Sequence, residues 1–455
     1  MEIGDHPNWI HRLTNIRRDE LGMMLRCAGC FFFVLFGYAL IKPVRDAMGV
    51  QRSMGDLRTL FVMTCLCSLV VSLLFGGTVS RLDRRRCIPI VYRLLMGCLL
   101  VFMVLLLALG DRASLYTGYV FYIWLSVVNL FMVSLFWGLM ADVWTLGQGK
   151  RVFASIGIGG TLGMVLGSSF VWSLAEAVGP VVQMGIAGLM FELAARLVRS
   201  IDRRSEKDAT HRKELAANRA MPAPIGGHWA DGVREIVRSP YLLGIGSYIV
   251  LMTISNTLIY FTKSNIVTNA SCELETRVSM FGQIELWTQL STLFVQLFVT
   301  THLIKRLGIG IVLSVLPMVT VVGFVILAWV ERQPGIEGWQ VFGVLVAFKA
   351  VHSATRYAVI RPARETLFSV VPSSEKYKAK PIIDVFFYRG GDVAGSGIER
   401  LIVGGAYGLG GLAILAAPLA VLWGGLAAAL AIAQQRKAQE NLNESTIHNH
   451  TGVQI

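Results

Sequence analysis

Twelve apolar runs, each long enough to cross a bilayer, divide this chain, and nothing else constrains its fold as much. A helix rises about 1.5 Å per residue and the hydrocarbon core is about 30 Å thick, so some twenty apolar residues span it. The runs lie at 24–42, 58–79, 87–109, 116–141, 153–178, 180–198, 241–261, 281–303, 309–330, 338–358, 382–404 and 409–433. Inside lipid every backbone polar group needs an internal partner, which leaves helices or a closed barrel, and runs of this length select helices. Composition agrees: 54% of the 455 residues are hydrophobic, 16% are charged, and mean hydropathy is +0.58. The first run follows a charged preface and has no small-residue cleavage site after it, so it reads as a retained helix.

The net charge of +13 does not point to nucleic acid. Basic residues cluster in short segments between apolar runs, such as Arg81–Arg86 and Lys305–Arg306, which is how cytoplasmic loops are marked. That asymmetry predicts a multi-pass protein of the cell inner membrane with both termini cytoplasmic. The longest polar stretch, with Pro222 and Pro224, separates the sixth run from the seventh and is expected to be helical around Trp229–Val237. The expected organisation is a cytoplasmic segment at 1–23, a six-helix half at 24–198, a linker at 199–240, a second six-helix half at 241–433 and a polar tail at 434–455. Two six-helix halves with a site at their interface describe an all-α, major facilitator-like integral membrane protein. The loop Gly76–Arg86 is a degenerate form of that superfamily's signature between the second and third spans.

The eleventh run, IIDVFFYRGGDVAGSGIERLIVG, carries charge where lipid should forbid it. At helical periodicity Arg389, Asp392, Ser396, Glu399 and Arg400 share one face. Each ionised side chain near the bilayer centre costs about 2.5–3.5 kcal/mol on insertion scales, so such a face lines a solute pathway or meets partners in an ion-pair network.

Two more constellations stand out. At the outer end of the first run lies Lys42-Pro43-Val44-Arg45-Asp46, in which Lys42 and Asp46 are spaced to pair and Pro43 can kink or end the helix. Basic residues on the external side run against the topology rule and read as either an anion site at the outer mouth or snorkelling side chains. The second is Arg356-Tyr357 to Arg361-Pro362-Ala363-Arg364-Glu365, followed by Lys376, Lys378 and Lys380. It can receive phosphate or anionic headgroups, and positive-inside anchoring accounts for part of it. Lys349 and Arg356 lie within the apolar tenth run, with His352 between them as a helix-packing polar group.

Other patterns narrow the function. Ser155, Gly159, Gly163 and Gly167 form a small-residue ridge for close helix packing. Gly157-Ile158-Gly159-Gly160 lacks the strand that a dinucleotide fingerprint needs. There is no phosphate-binding GxxxxGK[ST] motif, so energy must come from a gradient or from exchange. Cys27 and Cys30 read as helix filling, and only Cys272 is expected to face outward. The eight histidines are scattered, which argues against a lipid-phosphate enzyme, and neither cofactor nor metal is expected. A non-transporting membrane scaffold remains an alternative.

At these residues the chain resembles the major-facilitator-like nucleotide transporters, whose best-known members are the ATP/ADP translocases of plastids and obligate intracellular bacteria. Their Arg-x-x-Lys-Asp element is matched by Lys42, Arg45 and Asp46 with the two cations interchanged. Their basic-Tyr-x(4)-Pro-x-basic-Glu element is matched by Arg356, Tyr357, Pro362, Arg364 and Glu365. Their Lys-x-Lys-x-Lys, Asp and Arg-x-Gly series is matched by Lys376, Lys378, Lys380, Asp384, Arg389 and Gly391. Two departures bear on substrate. The translocases carry a lysine where this chain has Asp392, and a glutamate in the fourth span where Leu125–Asn129 offers only Ser126 and Asn129.

The reading is a monomeric secondary carrier in the lipid bilayer that works by alternating access. It exchanges or imports a small anionic, phosphorylated solute, with ATP and ADP favoured by the resemblance. Lys42, Arg45 and Asp46 meet the anion outside, Arg389 and Asp392 in the cavity, and Arg356, Arg364, Glu365, Lys376, Lys378 and Lys380 inside. Asp392 and Glu399 balance charge or carry a coupling proton. The alternative within transport is a proton-coupled carrier of a non-nucleotide anion or a lipid headgroup.

Overall fold

The computed structural model describes residues 18–79, 84–109, 111–207, 229–372, 375, 379–380, 382–404 and 408–451. Lys376, Lys378 and the tip of the Gly76–Arg86 loop lie outside them. The described secondary structure is helical throughout. Thirteen α-helices are named in chain order: α1 Arg18–Gly49, α2 Met54–Val79, α3 Arg84–Ala108, α4 Asp111–Val143, α5 Leu146–Lys207, α6 Trp229–Arg238, α7 Pro240–Ala270, α8 Leu274–Phe298, α9 Thr300–Glu331, α10 Gly338–Ala354, α11 Arg361–Leu367, α12 Tyr388–Gly404 and α13 Gly408–Thr451. Single π-helical turns occupy Thr355–Ile360, directly after α10, and Ile383–Phe387, directly before α12.

Among the described residues eight helices are long and apolar enough to span a membrane. One of them, within α5, runs through Gly179, whose positive φ of 74° breaks the helical path just before Pro180. The expected fifth and sixth runs meet there, and glycine tolerates that conformation because it has no Cβ. The eighth, tenth and eleventh runs fall on α8, α10 and α12, which are shorter or carry more charge.

Several boundaries differ from expectation. Pro43 neither ends nor replaces α1, which continues to Gly49 and carries Lys42, Arg45 and Asp46 on an unbroken helix. At the other end, α13 runs on to Thr451 through what was expected to be a polar tail. Its extension is held by Gln434 Nε2 donating to the Thr366 carbonyl at 2.9 Å and by Lys437 over the Tyr241 ring.

The chain forms two compact units: Met1–Pro222 with Ser271–Leu286, and Ala223–Ala270 with Trp287–Ile455. In the first, α1 packs chiefly against α5. The small-residue ridge of α5 seats directly on it, since a Cβ at Gly159 would strike the Ala28 carbonyl and one at Gly163 the Phe32 carbonyl. Without a hydrophobic drive between helices in lipid, close backbone approach and dispersion hold such pairs together. The first half of α8 belongs to this unit, with Gly282 against Val171 and Arg277 Nη1 donating to the Val50 carbonyl at 3.0 Å.

The second unit repeats the device with different residues. Gly391 and Gly395 of α12 lie against Val250, Thr253, Ile254 and Thr257 of α7, with 2.9 Å from a Cβ at Gly391 to Thr253 Cβ. This close seat turns the neighbouring face of α12 inward. Below it the core packs Tyr248 against Trp423, ring centroids 5.5 Å apart, and the Tyr248 hydroxyl donates to the Leu313 carbonyl at 2.8 Å.

Candidate functional site

Each unit holds its own cluster of buried charge. In the first unit Lys42, one turn before Asp46 on α1, pairs with Glu285 of α8, and Arg45 pairs with its neighbour Asp46. Arg45 Nε donates to Asp46 Oδ1 at 3.0 Å and Nη1 to Ser126 Oγ at 3.0 Å, while the guanidinium lies 4.9 Å from the centre of the Tyr122 ring. Asp46 is almost fully buried and Lys42 and Arg45 are partly so. A planar fork, an acceptor on each side and an aromatic face give one fixed orientation, which a lysine cannot reproduce. Sequence reasoning placed Lys42, Arg45 and Asp46 together but expected Lys42 to pair along the helix. Nothing in the local pattern points to Glu285 or Tyr122. Ser126 entered that reading only as what stands in for a missing glutamate, and here it is a ligand of Arg45.

In the second unit the polar layer is centred on α7, whose uncharged Ser255-Asn256-Thr257 run has no local signal that marks it in the sequence. Thr257 Oγ1 donates to Asp392 Oδ1 at 3.1 Å, and Arg389 Nη1 donates to Asp392 Oδ2 at 3.0 Å. Ser255 lies 3.1 Å from Thr320 and 3.4 Å from His352 Nε2, and Lys349 Nζ donates to Asn256 Oδ1 at 3.4 Å. Asp392, Ser396 and Glu399 are buried, as one face of α12 requires. Arg400 departs from that face and is exposed: it stands at one extreme of the shared arc, about 100° from the buried Glu399 at the other.

The two π-turns converge on Arg356. It sits on the first, is buried, donates to the Tyr388 hydroxyl at the end of the second, and lies 5.1 Å from the Tyr357 ring and 5.7 Å from the Tyr388 ring. Single π-turns inside helices occur often at functional positions because they re-aim side chains. Further along, Arg364 lies 3.3 Å from Asp384, and Lys380 lies 2.5 Å from Glu365. Burial raises the Glu365 carboxyl, but the Lys380 hydrogen bond and the nearby Lys380, Arg364 and Arg361 charges outweigh it and hold the group below the usual carboxylate range. Among the described residues no cluster has the makings of a metal site.

Together, an all-helical body with several bilayer-length helices and buried polar layers defines a multi-pass membrane protein of the major facilitator type of fold. The chain superposes on a bacterial homologue of the iron transporter ferroportin in its inward-facing state with a TM-score of 0.63 at 11% identity, covering 91% of this chain and 98% of that one. It also superposes on the POT family transporter PepTSo (TM-score 0.57, 14% identity, 93% and 98% covered) and the nucleoside transporter NupG (0.53, 11%, 91% and 99%). At these identities the likeness speaks for the fold alone.

In sequence the chain is similar to ADP,ATP carrier proteins. It is 26% identical over 321 residues to ADP,ATP carrier protein 1 of Chlamydia trachomatis, covering 64% of this chain and 60% of that protein. With the carrier protein of the same name from Chlamydia muridarum it is 24% identical over 306 residues, covering 62% and 57%. The similarity thus spans about three-fifths of these relatives' length. No family model matches the chain.

Proposed function

We propose that the protein is a secondary carrier of a small phosphorylated anion, working by alternating access in the cell inner membrane with both termini cytoplasmic. Nucleotides of the ATP and ADP kind are the favoured substrates, and exchange is the favoured mode. The observation that carries this reading is the set of cations Arg356, buried, and Lys42 and Arg45, partly buried, in the helical body of a chain similar to ADP,ATP carriers. Buried cations cost desolvation energy unless they are balanced, and here the balance comes from side chains that an anionic solute can supplement or replace. On this reading Lys42, Arg45 and Asp46 engage the anion on one side of the membrane. Arg356, Arg364, Glu365 and the Lys376, Lys378 and Lys380 run meet it on the other.

The buried carboxylates Asp392 and Glu399 favour a second reading, a proton-coupled carrier of a non-nucleotide anion. Purified protein in liposomes loaded with unlabelled ATP, ADP, phosphate or organic anions, tested for uptake of labelled ATP, separates the two. Exchange only against nucleotides supports the first. Uptake driven by an imposed proton gradient without internal nucleotide supports the second, and no uptake of any anion rejects both. With Cys272 replaced by serine, a cysteine placed at Ser205 tests orientation: labelling by an impermeant reagent from outside would reverse it.

A further inference from the structure

Resting on the carrier reading above, we infer that the anion site of the second unit is centred on the end of α10, at Arg356 and Lys349, and that Asp392 takes Arg389 out of anion binding. The two arginines have different counter-groups. Arg389 is matched by a full carboxylate at 3.0 Å, and that carboxylate is itself fixed by Thr257 at 3.1 Å and is almost fully buried. To engage Arg389, an anion would have to strip it from Asp392 and leave a buried carboxylate facing the newcomer's negative charge, which is doubly unfavourable.

Among the described residues Arg356 is hydrogen-bonded only to a phenol, with the Asp392 charge acting on it from beyond ion-pair distance. It donates to Tyr388 and lies against two tyrosine rings, and among the described residues no carboxylate pairs with it. A neutral phenol gives up a guanidinium donor far more cheaply than a carboxylate does, because no uncompensated charge remains. The guanidinium carries five N–H donors in a planar fork, so the bond to Tyr388 leaves others for a phosphoryl group.

The rest of the α10 face is consistent with a ligand. Lys349, His352 and Arg356 recur at helical spacing along one side, with Lys349 and Arg356 about 10 Å apart along the axis. That separation fits a chain of phosphoryl groups or a phosphate and a second polar group. His352 between them is fully buried, places Nε2 3.4 Å from Ser255, and among the described residues has no hydrogen-bond partner at Nδ1. A buried ring nitrogen without a partner gains from any ligand that brings it one. The π-turn that begins at Thr355 sets the direction of Arg356 relative to the two residues before it.

The consequence is a specific pattern of affinities in the full-length protein. With labelled ADP as the probe, Arg356→Gln should weaken binding about tenfold or more, Lys349→Gln should weaken it by a smaller factor, and Arg389→Gln should change it by less than about threefold. Asp392→Asn should tighten ADP binding, because it releases Arg389 and removes a repulsive charge. Each variant is compared with wild type for elution as a single species in detergent. If Arg356→Gln fails that comparison, Lys349→Gln and Asp392→Asn carry the test. Loss on Arg389→Gln equal to that on Arg356→Gln, or weaker binding by Asp392→Asn, would overturn the inference while leaving a phosphorylated-anion carrier standing. Wild-type protein that binds none of ADP, ATP and pyrophosphate would instead remove the carrier reading and the inference with it.

Discussion

Lys42 on α1 and Glu285 on α8, 243 positions apart in the chain, form an ion pair within one compact unit. The bond ties the first half of α8 to α1. Glu285 is largely buried and Lys42 about a quarter exposed, which places the pair between a surface bridge and a fully enclosed one.

Removing one partner should therefore cost more than removing both. Breaking a fully buried pair costs about 3–5 kcal/mol, and partial exposure puts this one below that range. Glu285→Gln and Lys42→Met are each expected to lower the melting temperature in detergent. The reversed pair, Lys42→Glu with Glu285→Lys, should recover most of the stability but not anion uptake, since the cation no longer stands on α1. Full recovery of both would make the pair structural only.

Arg45 has a more exacting environment. Asp46, Ser126 and the Tyr122 ring fix its plane, so Arg45→Lys should not rescue it. Arg45→Gln is expected to weaken anion uptake about ten- to a hundredfold, corresponding to about 1.5–3 kcal/mol for a lost charge-assisted contact. Uptake measured as a function of anion concentration checks this. An unchanged half-saturating concentration would remove Arg45 from the site.

The glycine ridge makes a prediction about folding and none about chemistry. Gly163→Leu drives a side chain into the Phe32 carbonyl of α1, whereas Gly157, on the same helix, has open space where its Cβ would stand. Overpacking costs about 1–3 kcal/mol where neighbours can shift, and more against a backbone. Gly163→Leu should reduce the yield of monodisperse protein sharply, while Gly157→Leu should match wild type. Equal yields would mean that α1 and α5 do not rely on this approach.

Glu365 gives a pH dependence of known sign. Its carboxyl is held below the usual range, so the folded state keeps it ionised more readily than the unfolded chain does. The stability it contributes is complete above the ordinary carboxylate pKa of about 4 and is lost as pH falls through the depressed folded value. The group is nearly half exposed, so the effect is small. Lys380→Gln should flatten the acid limb of the melting curve between pH 5 and 3 on this account. An acid limb identical to wild type would count against it.

How far the sequence reached depends on the range of the physics involved. Bilayer-length apolar runs, the ridge at Gly159, Gly163 and Gly167 and the inward face of Asp392, Ser396 and Glu399 follow from helical periodicity and the cost of charge in lipid, both of which act within one segment. They were readable residue by residue, as was the association of Lys42, Arg45 and Asp46. The partners of those charges were not. Glu285 reaches Lys42, and Tyr388 reaches Arg356, only because the chain path returns distant helices to the same place. The π-turns at Thr355–Ile360 and Ile383–Phe387 escaped notice because they alter backbone hydrogen bonding without changing composition. Local sequence determined which faces must avoid lipid. Only the tertiary structure decided that Asp392 is also held by Thr257 of α7 and that Arg356 meets Tyr388, since that depends on which helix lies opposite.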